Sequence, residues 1–384
     1  MTDSAAKPTL PLAGLKVLEL ANILAGPLIG QFCAELGADV IKVEQPGSGD
    51  PTRGWYLSSE DRSDDVSGYF SCANWGKRSI AIDIASPEGQ ALVQQLVKRS
   101  DIVIIGYKPG DDAKFGLAWE DLSALNSGLI YLQISAYGAQ DNRPGFDAII
   151  QAESGFTLIN GEPDSGGVKM PVALVDLLAA HQLKEGLLLA LLERNRTGQG
   201  AYVATSLMAS ASASLANQAS NYLYAGAIPR AMGSQHPNIV PYGNILTCAD
   251  QRQLVIAVGT ERQWQGFAAA LNRTEWCADP RFTSNAARVQ NRAALVALIV
   301  ALTKQMNSAD LAESLARAKV PFGFVNDMAQ VFAEPAAKDQ LLASGRGVRT
   351  IALSGSLNTR GDLTPPPHLD EHRSEILAEL ESPG

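Results

Sequence analysis

The chain has 384 residues, of which 46% are hydrophobic and 18% charged, with 34 glycines, a globular profile that excludes a disordered or fibrous protein. Lys and Arg number 31 against 40 Asp and Glu, a net charge of −9, which excludes whole-surface attraction to nucleic acid or an anionic membrane. An anionic ligand therefore needs a local basic pocket.

Lys16 to Leu20 (KVLEL) reads as a strand, Pro27 to Leu36 as a helix ended by Gly37, and Asp39 to Glu44 (DVIKVE) as a second strand, a β-α-β unit. Ser79 to Asp83 is the next expected strand. A helix follows from Ser86 to Arg99, with Ser86 at its cap and Pro87 in its first turn, then strands over Ile102 to Ile105 and Leu129 to Ser135. Strands alternating with helices imply a mostly parallel sheet covered on both faces. The long loop from Gln45 to Ser67 is of a length that tends to be functional.

Val172 to Val175 reads as a short apolar strand leading to Asp176, and the run after Asp176 as a helix stopped by Thr197 to Gly200. A strand over Ala201 to Thr205 and a small-residue helix from Leu207 to Tyr224 come next. Pro, Gly and Asn crowd Gly226 to Gly243, and two strands, Asn244 to Thr247 and Leu254 to Val258, precede several short helices. From Gln340 the pattern is irregular until a terminal helix, Arg373 to Leu380. The expected division is a large domain over 1–225, a small domain over 226–335, and a return to the large one over 336–384.

Four scattered cysteines without C-x-x-C spacing and only four histidines support neither a metal centre nor a disulfide framework. The N-terminal stretch has no basic region followed by an apolar run, and no segment approaches 18 uninterrupted apolar residues. A cytoplasmic protein is expected.

Glu44 ends the second strand where a dinucleotide-binding fold places its ribose-binding acid, but the first turn, Ala21 to Pro27, lacks G-x-G-x-x-G. Serine hydrolase chemistry fails for want of a G-x-S-x-G elbow. His181, in an apolar helix, reads as structural, and His236, in GSQHPNIVPYG, as a loop residue with a claim to a cleft. Asp176 opens a long helix, where an Asp is commonly a plain N-cap. The same place suits a carboxylate nucleophile, because the helix N-terminus favours the anion and holds its pKa down.

Five segments together carry a family resemblance: PLAGLKVLELANILAGP, LGADVIKVEQPGSGDPTRGW, NWGKRSIAIDIASPEGQ, RPGFDAIIQAESG and PVALVDLLAAHQLKEGLLLALLERNRTGQG. In this order and spacing they resemble the class III CoA-transferases, the CaiB/BaiF family that includes formyl-CoA transferase. The resemblance implies an α/β fold, with a Rossmann-like large domain and a smaller α+β domain in an interlocked homodimer. It implies transfer of CoA from an acyl-CoA to a small carboxylate, with coenzyme A as part of the substrate and no metal. In that chemistry Asp176 forms a mixed anhydride with the donor acyl group and then an aspartyl-CoA thioester.

The resemblance places CoA near Ile23, Leu24 and Ala25, near Gln45, near Ile82 and Ala85, at Gly106, Tyr107 and Lys108, at Lys114, and along Arg143 to Asp147. Gln45 and Ala85 stand where formyl-CoA transferase has an arginine and a lysine, which makes Lys42, Arg53 and Arg78 candidates to answer the phosphates instead. GSGDPTRGW resembles the oxalate-site segment of that enzyme, with Trp55 at its aromatic position, and Tyr137, His236 and Tyr242 are candidates for orienting the acceptor acid. No glycine run corresponding to that enzyme's small-domain loop is present.

The family also holds α-methylacyl-CoA racemases, whose second acid/base is a histidine at the position of Phe146. A phenyl ring transfers no proton, so the residues favour transfer over racemisation. A non-catalytic CoA-binding paralogue would share the fold, and the presence of Asp176 argues against it.

Overall fold

In the computed structural model, which describes residues 10–382, six parallel strands form one sheet: β1 (Lys16–Leu20), β2 (Asp39–Glu44), β3 (Lys77–Ala81), β4 (Ile102–Ile105), β5 (Ile130–Ser135) and β6 (Ala201–Ser206). Their order is β3-β2-β1-β4-β5-β6. Strand β4, in the middle of the sheet, is buried end to end, as a parallel sheet covered on both faces demands, and reads IVII for that reason. Helix α1 (Ala25–Glu35) crosses from β1 to β2, and α2 (Pro87–Lys98) crosses from β3 to β4 with the Ser86 side chain accepting the Gly89 amide at 3.0 Å. Two further helices bear on the site, α3 (Asp147–Glu153) and α4 (Leu174–Thr197), the latter ended by Gly198 in the left-handed conformation, φ 74°.

The chain divides into two compact units. The first comprises 1–154, 170–220 and 336–384, the second 155–169 and 221–335. The segment 155–169, expected in the large domain, belongs to the second unit, where the Gly161 carbonyl accepts the Gly233 amide at 2.8 Å. The second unit has a three-stranded antiparallel sheet, β7 (Tyr242–Thr247), β8 (Gln253–Ala257) and β9 (Phe322–Phe324), packed on a core that includes Trp264, Phe267, Trp276 and Phe282. Strand β9 has only three residues and escapes sequence patterning.

Two expectations fail locally. Val172 and Ala173 form no strand, because helix α4 already begins at Leu174. The expected helix over 207–224 is two helices, Leu207–Ala213 and Ala216–Ala225, broken where Ala216 takes φ 46°.

Residues 339–372 contain no helix or long strand, yet they finish the first unit. Strand β3 lies at the sheet edge, and the C-terminal segment covers it: the Ala81 amide donates to Asp370 at 2.7 Å, and the His372 amide to the Ser79 carbonyl at 3.0 Å. The terminal helix, Arg373–Glu381, follows directly. No helix among the described residues is long and apolar enough to cross a membrane.

Candidate functional site

β1 lies between β2 and β4, so the chain order reverses at the β1/β4 pair. Ligands of open α/β sheets bind outside the strand ends at such a switch point. A cleft of about 210 Å³ opens there, bordered by Ala21 to Gly26 after β1, Gly106 to Pro109 after β4, and Ile134 to Ala136 at the end of β5. Arg143 to Phe146, Leu207 and Asp176 complete its wall. Its floor is tightly built, since a Cβ on Gly26 would stand 2.3 Å from the Ala21 Cβ. Helix α1 starts at the cleft with no side-chain cap, which leaves the Ala25 and Gly26 amides uncapped there, Pro27 having none.

Asp176 is the third residue of α4, and Ala173 takes the N-cap position without a side-chain hydrogen bond. The plain N-cap reading therefore fails. Asp147 performs the capping from another helix: its Oδ1 accepts the Val175 amide at 2.9 Å and its Oδ2 the Gln151 side-chain amide at 2.8 Å. Gln151 in turn accepts the Met170 amide at 2.8 Å, which ties down the segment entering α4. Asp176 is 9% exposed. Burial, and secondarily the negative charge of Asp147, push its pKa up to about 7. The expectation of a depressed pKa is thus reversed, because desolvation and a second carboxylate act where only the helix N-terminus was foreseen.

The expected site residues that meet in this cleft are Ile23, Leu24 and Ala25, then Gly106, Tyr107 and Lys108, then Arg143, Pro144 and Gly145, and finally Asp176. Phe146, 62% exposed, lines it as well. Arg143 stacks on the Tyr137 ring at 3.9 Å and pairs with Asp141 at 2.9 Å. The others lie outside the cleft wall. Gln45 and Ala85 are exposed loop residues, Lys114 pairs with Asp111 at 2.6 Å, and the Ile82 side chain is in the core beside Val43 and Val93. Trp55 is half-exposed, edge-on to Tyr69 at 4.9 Å. His236 and Tyr242 pack against each other in the second unit, ring centroids 5.2 Å apart.

The chain matches the family model described as CoA-transferase family III over residues 12–373. The chain belongs to CoA-transferase family III. Among proteins similar to this transferase is a succinate–glutarate CoA-transferase from Agrobacterium fabrum, 38% identical, with 97% of this chain and 96% of that one aligned. An acetyl-CoA:oxalate CoA-transferase from Acetobacter aceti is 30% identical across 100% of this chain and 99% of its own. The crystal structure of a CaiB/BaiF family protein from Brucella suis superposes with a TM-score of 0.84 at 41% identity, covering 97% of this chain and 100% of that chain. The Agrobacterium and Acetobacter relatives are CoA-transferases, and this family III protein is a CoA-transferase that uses CoA thioesters.

Three cations offered as substitutes for the missing phosphate contacts prove to be paired with carboxylates of the transferase itself. Lys42 is fully buried between Glu19 and Asp50, at 3.0 Å from each. Arg53 is buried and grips Glu44 with two bonds of 2.7 Å, and Arg78 pairs with Asp39, Glu375 and Glu379. Burial opposes ionisation of Glu44, but the bonds from Arg53 and the charge of Lys42 prevail and hold its carboxyl below the usual range. Glu44 is thereby occupied and does not serve as a ribose-binding acid. Glu19 and Lys42 are register partners on adjacent strands, opposite charges within two apolar runs, a pairing that the sequence reading missed.

Proposed function

We propose that this chain moves CoA between small organic acids with Asp176 as the covalent nucleophile. The observation that carries the reading is the placing of Asp176 in the wall of the switch-point cleft, beside the loops after β1 and β4. Lys108 and Arg143 supply local positive charge for CoA phosphates on an otherwise acidic protein.

The ionised Asp176 oxygen attacks the thioester carbonyl of the donor; the C–S bond breaks, CoA leaves as thiolate, and an aspartyl anhydride remains. The thiolate attacks the Asp176 carbonyl carbon and expels the donor acid as carboxylate, which leaves an aspartyl-CoA thioester. An acceptor carboxylate then attacks that carbon, releases the thiolate and forms a second anhydride. Attack of the thiolate on the acceptor carbonyl frees both the new acyl-CoA and Asp176. No proton has to move, and exclusion of water protects the anhydrides. A pKa of about 7 leaves roughly half of Asp176 ionised near neutrality, enough to start the cycle.

Coenzyme A is the transferred group in this reading, the remaining expected contacts at Gln45, Ile82, Ala85, Lys114 and Asp147 are proposed to meet it beyond the cleft wall, and the protein works as an interlocked homodimer. Trp55, Tyr137, His236 and Tyr242 are proposed acceptor-side groups. Incubation with paired acyl-CoAs and free acids, read by mass detection of exchanged CoA esters, tests the function. Hydroxylamine trapping tests the nucleophile: a hydroxamate on Asp176 is expected, and a label elsewhere refutes the assignment.

A further inference from the structure

Ile23, in the loop between β1 and α1, has φ 74°. A β-branched residue rarely adopts this left-handed region, so the surrounding structure must enforce it. The enforcing groups are buried. The Ile23 amide donates to both oxygens of the Asp50 carboxylate, at 3.1 and 3.3 Å. That carboxylate is itself fixed by the Thr52 amide at 3.0 Å, the Thr52 hydroxyl at 2.7 Å and the Lys42 ammonium at 3.0 Å. Lys42 also donates to the Ala21 carbonyl at 2.7 Å and is held on its other side by Glu19. One ion pair thus grips both residues that flank Asn22.

Residues 21 to 26 border the cleft, whereas Lys42 and Asp50 do not line it. We propose that Lys42 and Asp50 are positioning residues for CoA binding, holding the Ala21–Ile23 turn in the one conformation that shapes the cleft wall. The inference rests on the reading of the cleft as the CoA site. It separates these two residues from ordinary buried ion pairs, whose loss would lower stability without acting through the backbone conformation of Ile23.

The test measures affinity for free coenzyme A by calorimetry, and melting temperature alongside, in a cycle of Asp50→Asn and Ile23→Gly on the full chain. Asp50→Asn weakens coenzyme A binding about tenfold, the scale of a lost charge-assisted hydrogen bond. In the Ile23→Gly background the same change weakens it less than about twofold, because glycine occupies positive φ unaided. The fall in melting temperature is the same in both backgrounds. An unchanged affinity, or an equal loss in both, overturns the proposal. Should Asp50→Asn fail to fold, Thr52→Val decides: it removes the hydroxyl that orients Asp50, and a loss of about threefold in affinity, relieved by Ile23→Gly, is expected. An unchanged Thr52→Val affinity then overturns the proposal. If the wild-type protein does not bind coenzyme A, the cleft reading itself falls; if it binds and the variants match it, only the positioning role falls.

Discussion

The carboxylate of Asp147 caps a helix to which it does not belong, accepting the Val175 amide at 2.9 Å while its charge raises the pKa of the neighbouring Asp176. Asp147→Asn keeps an oxygen for the Val175 amide and removes the charge. The acid limb of the kcat/KM pH profile should move below about 7, only part of the way to the ordinary carboxylate value because burial is the larger cause. A limb that stays in place would assign the whole shift to burial.

Asp176 retains a proton in the folded chain at pH values where the unfolded chain has lost it. Stability therefore falls as pH rises from 3.8 to about 7 and stays reduced above that. The loss is at most roughly 4 kcal/mol. Asp176→Asn should abolish transfer, melt like wild type near about pH 4 and melt higher than wild type near about pH 8. Thermal melts across that range check it, and a variant less stable at high pH would contradict the buried-carboxylate account.

Phe146 lines the cleft that holds Asp176 and offers no second base. A chiral 2-methylacyl-CoA incubated with enzyme in deuterated water should keep its α-proton and configuration while CoA passes to an added carboxylate. Rapid deuterium uptake without an acceptor would favour the racemase.

Arg53 and Glu44 form a buried fork, and the Arg53 guanidinium also donates to the Pro367 carbonyl at 3.0 Å. Arg53→Met removes one partner of a buried pair and should cost about 3–5 kcal/mol in urea unfolding. Arg53→Lys keeps the charge but cannot make both bonds, and should fall between. Equal stability of all three would show that Lys42 and Ser79 suffice for Glu44.

The β-α-β opening, the Ser86 cap and the Gly198 stop were legible because each rests on local chemistry: apolar period, side-chain capping and positive φ. Asp176 could be picked out by its place at a helix start and by family resemblance. Its titration could not, since it depends on Asp147, 29 positions away, and on burial. The Val172 to Val175 run was too short for its apolar residues to separate a strand from the entry to a helix. Lys42 and Arg53 looked available for phosphates because a sequence shows charge and not partner: Glu19 meets Lys42 only once β1 and β2 pair, and Asp50 and Glu44 meet Lys42 and Arg53 only once the loop after β2 folds back on that strand.

The cover that residues 364–372 give to β3 sets an order of events during synthesis. Gly76 donates to the Thr364 carbonyl at 2.9 Å, and Ala81 to Asp370, so the edge of the first unit is closed by a segment translated some 290 residues after it. Throughout elongation a ribosome-bound chain carries that strand edge open, a template for pairing with other chains. The sheet can be assembled early, but its β3 edge is closed only once Thr364 to Asp370 has been made, so a chain cut short upstream of Thr364 should leave that edge open for pairing with other chains.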